Sequence, residues 1–325
     1  MTGIFRANNP LNASMLFVYG LLLKLSWFLK SPAYIPEGHG GFLYDEIIMR
    51  LKPAFISWPV LPSIIAFVLL YSQAVSINVF VNSRRLLPSP NYLPAMGYLL
   101  ITSLIPEWNM LSAPLLINSI LIWIWARMSN LNNVSSVKGT LFNIGFATAL
   151  CSFIYLPSLV VILIIFIALL VTRAPRIAEF VMYILGIVTL WYFLFAWLFY
   201  TNKLYSFDLA EVNLYRITIP KNPLQYVAGG ILVLMGILGA FFVQSQSAKQ
   251  VIQVRKRWLV LMIFLVILAI LPFTSDASQY WLCVLFPLSI LTGAVFFYTG
   301  NKWVRLVFHW GSVAFILYSQ YFTGR

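Results

Sequence analysis

The chain has 325 residues, of which 61% are hydrophobic and 9% are charged, and its formal net charge is +13. Hydrophobic runs recur along it, many of them close to the ~20 residues that a helix needs to cross ~30 Å of hydrocarbon. This composition excludes a soluble globular enzyme. It predicts an all-α, polytopic transmembrane bundle that forms one domain over residues 1–325, because no polar stretch is long enough for a separate globular unit.

Eleven hydrophobic segments are predicted to be helices. In chain order they cover residues 13–29, 61–82, 92–105, 110–126, 140–156, 157–172, 178–200, 223–244, 258–274, 279–298 and 304–322. The first segment follows Arg6 as a signal peptide would, but it contains Lys24 and Trp27 and has no small-x-small cleavage site. We therefore interpret it as a retained first helix.

Charged residues are divided unequally between the two sides of this arrangement. With a cytoplasmic N-terminus, the inner side receives thirteen cations and one acid, Glu179, while the outer side receives seven cations and seven acids. Positive residues determine orientation and acids contribute little to it. The pattern predicts a multi-pass protein of the bacterial inner membrane with its N-terminus in the cytoplasm and its C-terminus outside. Membrane lipids, and not nucleic acid, are the expected partners of the cations.

Two outer loops are long, at residues 30–60 and 201–222. Apolar residues recur at helical spacing over residues 42–51 of the first loop, which predicts a short helix lying along the membrane interface. The acids on the outer side mark that face as the candidate working face.

The densest polar cluster of the chain lies on this predicted interfacial helix. Asp45 and Glu46 are the candidate catalytic acids, because a carboxylate beside cations at a lipid boundary suits deprotonation of an acceptor near a bound phosphate. The candidate substrate-binding residues are Arg50, Lys52, Tyr44 and His39. The competing interpretation is the solvated face of an interfacial helix. No cofactor or metal site is predicted, since Cys151 and Cys283 fall in apolar segments as packed thiols.

Other polar and small residues have simpler explanations. Lys24 lies a few residues from the outer end of the first helix, so snorkelling is favoured over contact with a lipid phosphate. Glu107 at an outer helix end either extends the outward-facing site or is solvated, and solvation is favoured. The basic groups at residues 84–85, 173–176 and 255–257 are interpreted mainly as topology determinants, with binding of a specific ligand as the alternative. Gly145 with Ala149, and Gly236 with Ala240, are small-xxx-small pairs that indicate helix packing.

A first resemblance is carried by short motifs in the first half of the chain. These are residues 82–87 (NSRRLL), 92–95 (YLPA), Pro106-Glu107 and 112–114 (SAP). They resemble an uncharacterised family of bacterial integral membrane proteins, over most of the chain, that carries no established activity. Some of its members are labelled carotene-cleaving monooxygenases. Such iron sites need more histidines than His39 and His309, which argues against that activity here.

A second resemblance is architectural. The cytoplasmic N-terminus, the acid in a first outer loop and the hairpin of residues 145–156 turning at Pro157 are similar to membrane glycosyltransferases of the C superfamily. The resemblance implies a polyprenyl-phosphate sugar donor, Asp45 or Glu46 at the position of the base, and Arg50 or Lys52 near the donor phosphate. The large outer C-terminal domain of many such enzymes has no counterpart in this chain, so acceptor recognition is not implied.

The functional prediction is transfer of a sugar from a polyprenyl-phosphate donor at the outer face of the cell envelope. The alternative is a non-catalytic membrane scaffold subunit, with membrane-protein partners that the sequence does not identify, or a lipid or solute transporter. A lateral groove beside Asp45 favours the enzyme, whereas a closed bundle with solvated acids favours the scaffold. A central cavity near the membrane midplane favours transport.

Overall fold

The structure is a computed structural model that describes residues 2–29, 40–131, 136–172, 176–202, 223–273 and 278–321. Within these ranges the chain is predominantly helical and contains no strand. Its α-helices, numbered in chain order, are α1 (Thr2–Arg6), α2 (Leu11–Leu23), α3 (Leu25–Leu29), α4 (Phe42–Ser57), α5 (Leu61–Ser83), α6 (Leu93–Ile101), α7 (Ala113–Met128), α8 (Val137–Ile154), α9 (Val160–Thr172), α10 (Ile177–Tyr200), α11 (Pro223–Gln246), α12 (Ile252–Leu268), α13 (Leu282–Tyr298) and α14 (Lys302–Tyr321).

Six helical segments in the described part of the chain are long and apolar enough to cross a membrane. They are Leu61–Ser83, Val137–Ile154, Ile177–Tyr200, Pro223–Lys249, Ile252–Phe273 and Ser278–Tyr298. Three shorter apolar helical segments are Leu11–Leu23, Ala113–Met128 and Leu156–Thr172. The chain is therefore a multi-pass helical membrane protein. Every one of the eleven predicted segments contains a helix, but the number of membrane crossings stays a prediction.

Two predicted helices differ from the structure in length. The first is divided at Lys24, whose backbone angles (φ −107°, ψ 7°) separate α2 from α3. The predicted helix over residues 92–105 is reduced to α6, whose nine residues rise only ~14 Å, about half of the hydrocarbon thickness. Helix α6 ends before Pro106, which lacks the N–H that a continuing helix needs.

Helices α6 and α13 form the centre of the bundle. All nine residues of α6 are buried, as is every residue of α13 from Leu282 to Phe296. Their backbones approach closely at two glycines: a Cβ on Gly97 would lie 3.1 Å from the Ser289 carbonyl oxygen, and one on Gly293 would lie 2.9 Å from Pro94 Cα. Small residues thus allow the central helices to pack, as in other membrane bundles.

Helices α8 and α10 cross even more tightly. A Cβ on Gly145 would lie 2.1 Å from the carbonyl oxygen of Tyr183, and a Cβ on Gly186 would lie 2.1 Å from that of Phe142. The prediction that Gly145 marks helix packing is confirmed. Gly236 on α11 also meets a neighbouring helix, since a Cβ there would lie 3.0 Å from the side chain of Leu288.

The periphery of the bundle exposes apolar side chains. On α10, Ile177, Tyr192 and Phe199 are 84%, 67% and 74% exposed. Helix α11 exposes Ile237 and Phe241 in the same way. Large apolar side chains on the outside of long apolar helices are typical of a lipid-facing surface.

The two ends of the bundle differ in charge. We call the end that carries α4 the α4 end. At the opposite end, α5, α7 and α9 finish and α12 begins. We call it the basic end, because it carries Arg84, Arg127, Lys256 and Arg257. The N-terminal segment also reaches the basic end, where Arg6 donates from Nη2 to the Phe297 carbonyl oxygen at 3.4 Å. Most of the second long loop, residues 203–222, lies outside the described residues.

Candidate functional site

The helix predicted over residues 42–51 is present as α4 and is longer than expected, while its position along the membrane interface stays a prediction. It extends from Phe42 to Ser57 instead of over residues 42–51. Tyr44, Ile48 and Phe55 are buried, and they share one face because residues four and eleven apart return to nearly the same direction on a helix. The opposite face carries Glu46 and Arg50. Helix α4 is therefore amphipathic, and its apolar face packs on the bundle.

Gly41 fixes the start of α4 against the end of α8. Its N–H donates to the carbonyl oxygen of Ile154 at 2.7 Å. A Cβ at this position would lie 2.5 Å from the carbonyl oxygen of Phe153, so the close approach requires glycine. Further along, the buried hydroxyl of Tyr44 donates to the carbonyl oxygen of Leu111 at 3.4 Å. These contacts hold the first turn of α4 in one position.

Asp45 lies at the border between the buried and exposed faces of α4. Its side chain is half-buried, and Oδ1 accepts a hydrogen bond from the Gly40 N–H at 3.4 Å. Its own N–H donates to the carbonyl oxygen of Gly41 at 3.1 Å. The carboxylate belongs to the first turn of the helix, where the partial positive charge of the helix terminus stabilises an anion.

Glu46 has a different environment from its neighbour. Arg50, one turn further along, donates from Nη2 and Nε to Glu46 Oε1 at 2.7 and 2.8 Å. The Arg50 side chain is 78% exposed and that of Glu46 39%. This is an i,i+4 ion pair on the surface of a helix. Such a pair adds only about a few tenths of a kcal/mol to the stability of the folded protein.

The remaining predicted site residues are dispersed. Lys52 is exposed on α4, and the side chain of Tyr44 points into the bundle. His39 lies outside the described residues. The structure thus brings Glu46 and Arg50 together and places Asp45 beside them.

Lys24 differs from its sequence interpretation. A snorkelling lysine would place its ammonium group in the interface, but Lys24 is only 1% exposed. Its Nζ donates to Thr102 Oγ1 at 3.2 Å and to Asn109 Oδ1. The preference for snorkelling was therefore wrong, because both partners come from the segment after α6, which packs against the first helix. Thr102 and Asn109, two polar residues near the end of the predicted helix 92–105, were the signal in the sequence for this contact.

Several polar atoms in the segment that joins α6 to α7 are buried without a hydrogen-bond partner among the described residues. They are Oε2 of Glu107, Nδ2 of Asn109 and Oγ of Ser112. Glu107 itself is half-buried, so the favoured expectation of solvation describes only part of its side chain. This segment also carries the contacts to Tyr44 and Lys24. A buried polar group without a partner is uncommon, and such groups are often found where a protein binds water or a ligand.

No group of three or more His, Cys, Asp or Glu side chains suited to a metal ion occurs in the part of the chain that the structure describes. Cys151 and Cys283 are free and buried. The described residues of the α4 end supply carboxylates, cations and buried amide and hydroxyl groups. Comparison with known proteins finds no family model, no curated protein and no solved structure that matches this chain.

Proposed function

We propose that this protein transfers a sugar from a polyprenyl-phosphate donor at the outer face of a bacterial inner membrane, with Asp45 as the general base. The observation that supports the proposal best is the placement of Asp45. It is half-buried on the first turn of an amphipathic helix whose start is fixed by Gly41 and Tyr44. A catalytic base has to be held in position relative to its substrate.

The environments of the two acids favour Asp45 over Glu46 as the base. The carboxylate of Glu46 is neutralised by Arg50 in an exposed ion pair. The Glu46 side chain is 39% exposed and lies on the face of α4 that points away from the bundle. Asp45 lies nearer the bundle, where exclusion of water strengthens electrostatic interactions.

Cations for a donor phosphate are available on the same helix. Lys52 follows Asp45 by seven residues, so the two lie about two turns, or ~10 Å, apart on the same side of α4. That separation is large enough for a sugar between the base and the phosphate. Arg50 would contribute after exchanging Glu46 for a phosphate oxygen, with which it forms bidentate hydrogen bonds.

The proposed reaction is a single displacement. Asp45 accepts the proton of an acceptor hydroxyl, and the oxygen of that hydroxyl forms a bond to the anomeric carbon of the sugar. The bond between this carbon and the donor phosphate oxygen breaks, and the lipid phosphate leaves with the electron pair. Lys52 stabilises the charge that develops on the leaving phosphate.

Complementation of a deletion strain tests this proposal. Asp45→Asn keeps an oxygen that can accept the Gly40 N–H, but it removes the base, which typically contributes ~100-fold to 10,000-fold in rate. We expect this variant to lose the lipid-linked or surface glycan at normal protein level. Glu46→Gln is the matched control on the adjacent residue, and we expect it to retain function.

Wild-type glycan in Asp45→Asn, in Glu46→Gln and in the double variant, at equal protein level, would overturn the proposal. The alternative of a non-catalytic scaffold or a transporter would then be preferred. Loss of glycan in Glu46→Gln alone would instead assign the role of base to Glu46.

A further inference from the structure

The basic end of the bundle contains a small, partly open depression. Its lining includes Ser129 and Asn130 after α7, Thr172 at the end of α9, and Gln253, Lys256 and Arg257 at the start of α12. Two of these six residues are cations. Arg84, at the end of α5, is in contact with the same group, because Arg257 Nη1 donates to the Arg84 carbonyl oxygen at 2.6 Å.

The two cations of this depression already form hydrogen bonds to backbone carbonyl groups of the protein. Arg257 Nε donates to the carbonyl oxygen of Ser129 at 3.1 Å, and Lys256 Nζ donates to that of Thr172 at 2.7 Å. With the bond to Arg84, the two side chains reach the C-terminal ends of α7, α9 and α5. Cations in this position complement the partial negative charge of helix C-termini.

Helix ends do not neutralise the whole cluster. Three C-termini supply about −0.5 each. Arg84, Arg127, Lys256 and Arg257 supply four positive charges, so roughly 2.5 positive charges remain by this reckoning. None of the four forms an ion pair with an acid among the described residues. An excess of this size is suited to a dianion.

Arg84 lies close to other cations, and this proximity disfavours its charged form. Its Nε is buried and has no hydrogen-bond partner within the described part of the chain, although the residue as a whole is half-buried. Burial, and then the charges of Arg257 and Arg127, lower the pKa of Arg84 below its ordinary value. A guanidinium held close to other cations, with a donor left over, would be stabilised by an anion.

We propose that this depression binds a phosphate group, from either an anionic lipid head group or a soluble phosphate compound. A phosphate monoester carries about −1.5 to −2 charges at neutral pH and offers three acceptor oxygens. It would receive hydrogen bonds from the donors that Lys256 and Arg257 do not use on carbonyl groups. The Gln253 side chain lies in the same lining. This site is at the opposite end of the bundle from α4 and does not depend on the proposed sugar transfer.

The sequence supplies a matched control for the test. Arg255 precedes Lys256 on the same helix, and its exposed side chain is not part of the lining. Arg255→Gln therefore removes the same formal charge from the same region as Lys256→Gln or Arg257→Gln. If the probe is attracted only by the overall charge of the basic end, its affinity should decrease equally in all three variants. If it binds in the depression, its affinity should decrease in Lys256→Gln and Arg257→Gln but not in Arg255→Gln.

The experiment measures the affinity of the full chain, purified in a neutral detergent, for three probes. These are dioctanoyl phosphatidic acid, inorganic phosphate and dioctanoyl phosphatidylcholine as a zwitterionic control. We expect binding to wild type and to Arg255→Gln. We expect affinity to fall about tenfold or more in Lys256→Gln and Arg257→Gln, because a hydrogen bond to a charged group is lost.

The two sources of phosphate are separated by competition. Binding of phosphatidic acid that inorganic phosphate does not displace identifies a lipid head group, and displacement identifies a soluble ligand. Failure of both phosphate probes to bind would overturn the proposal, as would equal loss in the three variants. Because Arg257 caps two helices, thermal unfolding without ligand is measured for each variant; if Arg257→Gln does not fold, Lys256→Gln decides.

Discussion

Lys24 and Thr102 are hydrogen-bonded inside the bundle, with Nζ and Oγ1 3.2 Å apart. The bond joins the break between α2 and α3 to the end of α6. Thr102 Oγ1 in turn donates to the carbonyl oxygen of Tyr98 at 2.8 Å. The side-chain nitrogen of a lysine therefore lies among neutral partners in this part of the protein.

Replacement of Lys24 tests the energetic consequence. Burying the charge of a lysine among neutral groups costs several kcal/mol. Lys24→Met removes that cost, and the loss of the donor to the buried Asn109 Oδ1 offsets only about 1–3 kcal/mol of it. We expect Lys24→Met to unfold in detergent at the wild-type temperature or above it. We expect Lys24→Glu to unfold at a clearly lower temperature, because its carboxylate would face Asn109 Oδ1. Lys52→Met, at an exposed position, is the control. Loss of folded protein in Lys24→Met would contradict this account.

The contact between α8 and α10 predicts a strong effect of one methyl group. In Gly186→Ala the new Cβ would lie 2.1 Å from the Phe142 carbonyl oxygen, so the helices must separate. Overpacking of this kind typically costs about 1–3 kcal/mol and sometimes more. Gly230→Ala is the control, because no atom of the described residues lies within 4 Å of a Cβ there. The unfolding temperature in detergent should be lowered by Gly186→Ala, and it should be unchanged or raised by Gly230→Ala.

The start of α4 should depend on Gly41. In Gly41→Ala the Cβ would lie 2.5 Å from the Phe153 carbonyl oxygen, which displaces the first turn of the helix. We expect faster hydrogen–deuterium exchange over residues 42–57 in this variant. Gly300→Ala serves as the control, since its Cβ would have no neighbour within 4 Å in the part of the chain that the structure describes. Exchange at the wild-type rate in Gly41→Ala would show that this contact does not hold α4.

A polar network in the core predicts a moderate loss of stability. The Tyr98 hydroxyl donates to Gln73 Oε1 and accepts from Asn118 Nδ2, the latter at 2.8 Å. In Tyr98→Phe the amide of Asn118 loses this acceptor. We therefore expect the free energy of unfolding, measured by thermal unfolding, to fall by about 1–2 kcal/mol. Tyr192→Phe, at a position that is 67% exposed, should change nothing measurable. Equal effects of the two changes would argue against the network.

Orientation in the membrane can be tested by cysteine labelling. Both native cysteines are buried, so background labelling should be low. We expect an impermeant maleimide to label Ser57→Cys in intact cells, and to label Lys138→Cys only after the inner membrane is permeabilised. Both positions are exposed, and they lie at the α4 end and the basic end respectively. Labelling of Lys138→Cys alone in intact cells would reverse the predicted topology.

The sequence by itself determined the helical architecture, because it is set by local properties. A long apolar run must satisfy its backbone hydrogen bonds internally, so it becomes a helix wherever it packs. Helix α4 is also set by local sequence, because its apolar residues recur at helical spacing. The ion pair of Glu46 with Arg50 is local too, because the two residues are one helical turn apart. Gly145 was identified from its spacing with Ala149.

Only the tertiary structure decided where the polar side chains lie. Lys24 is buried because Thr102 and Asn109, far along the chain, supply its hydrogen bonds. Arg257, which was interpreted from the sequence mainly as a topology determinant, also joins the ends of two other helices. Contacts of this kind depend on which helices become neighbours, and hydrophobic periodicity does not encode that choice, because many pairings of apolar helices bury similar surface.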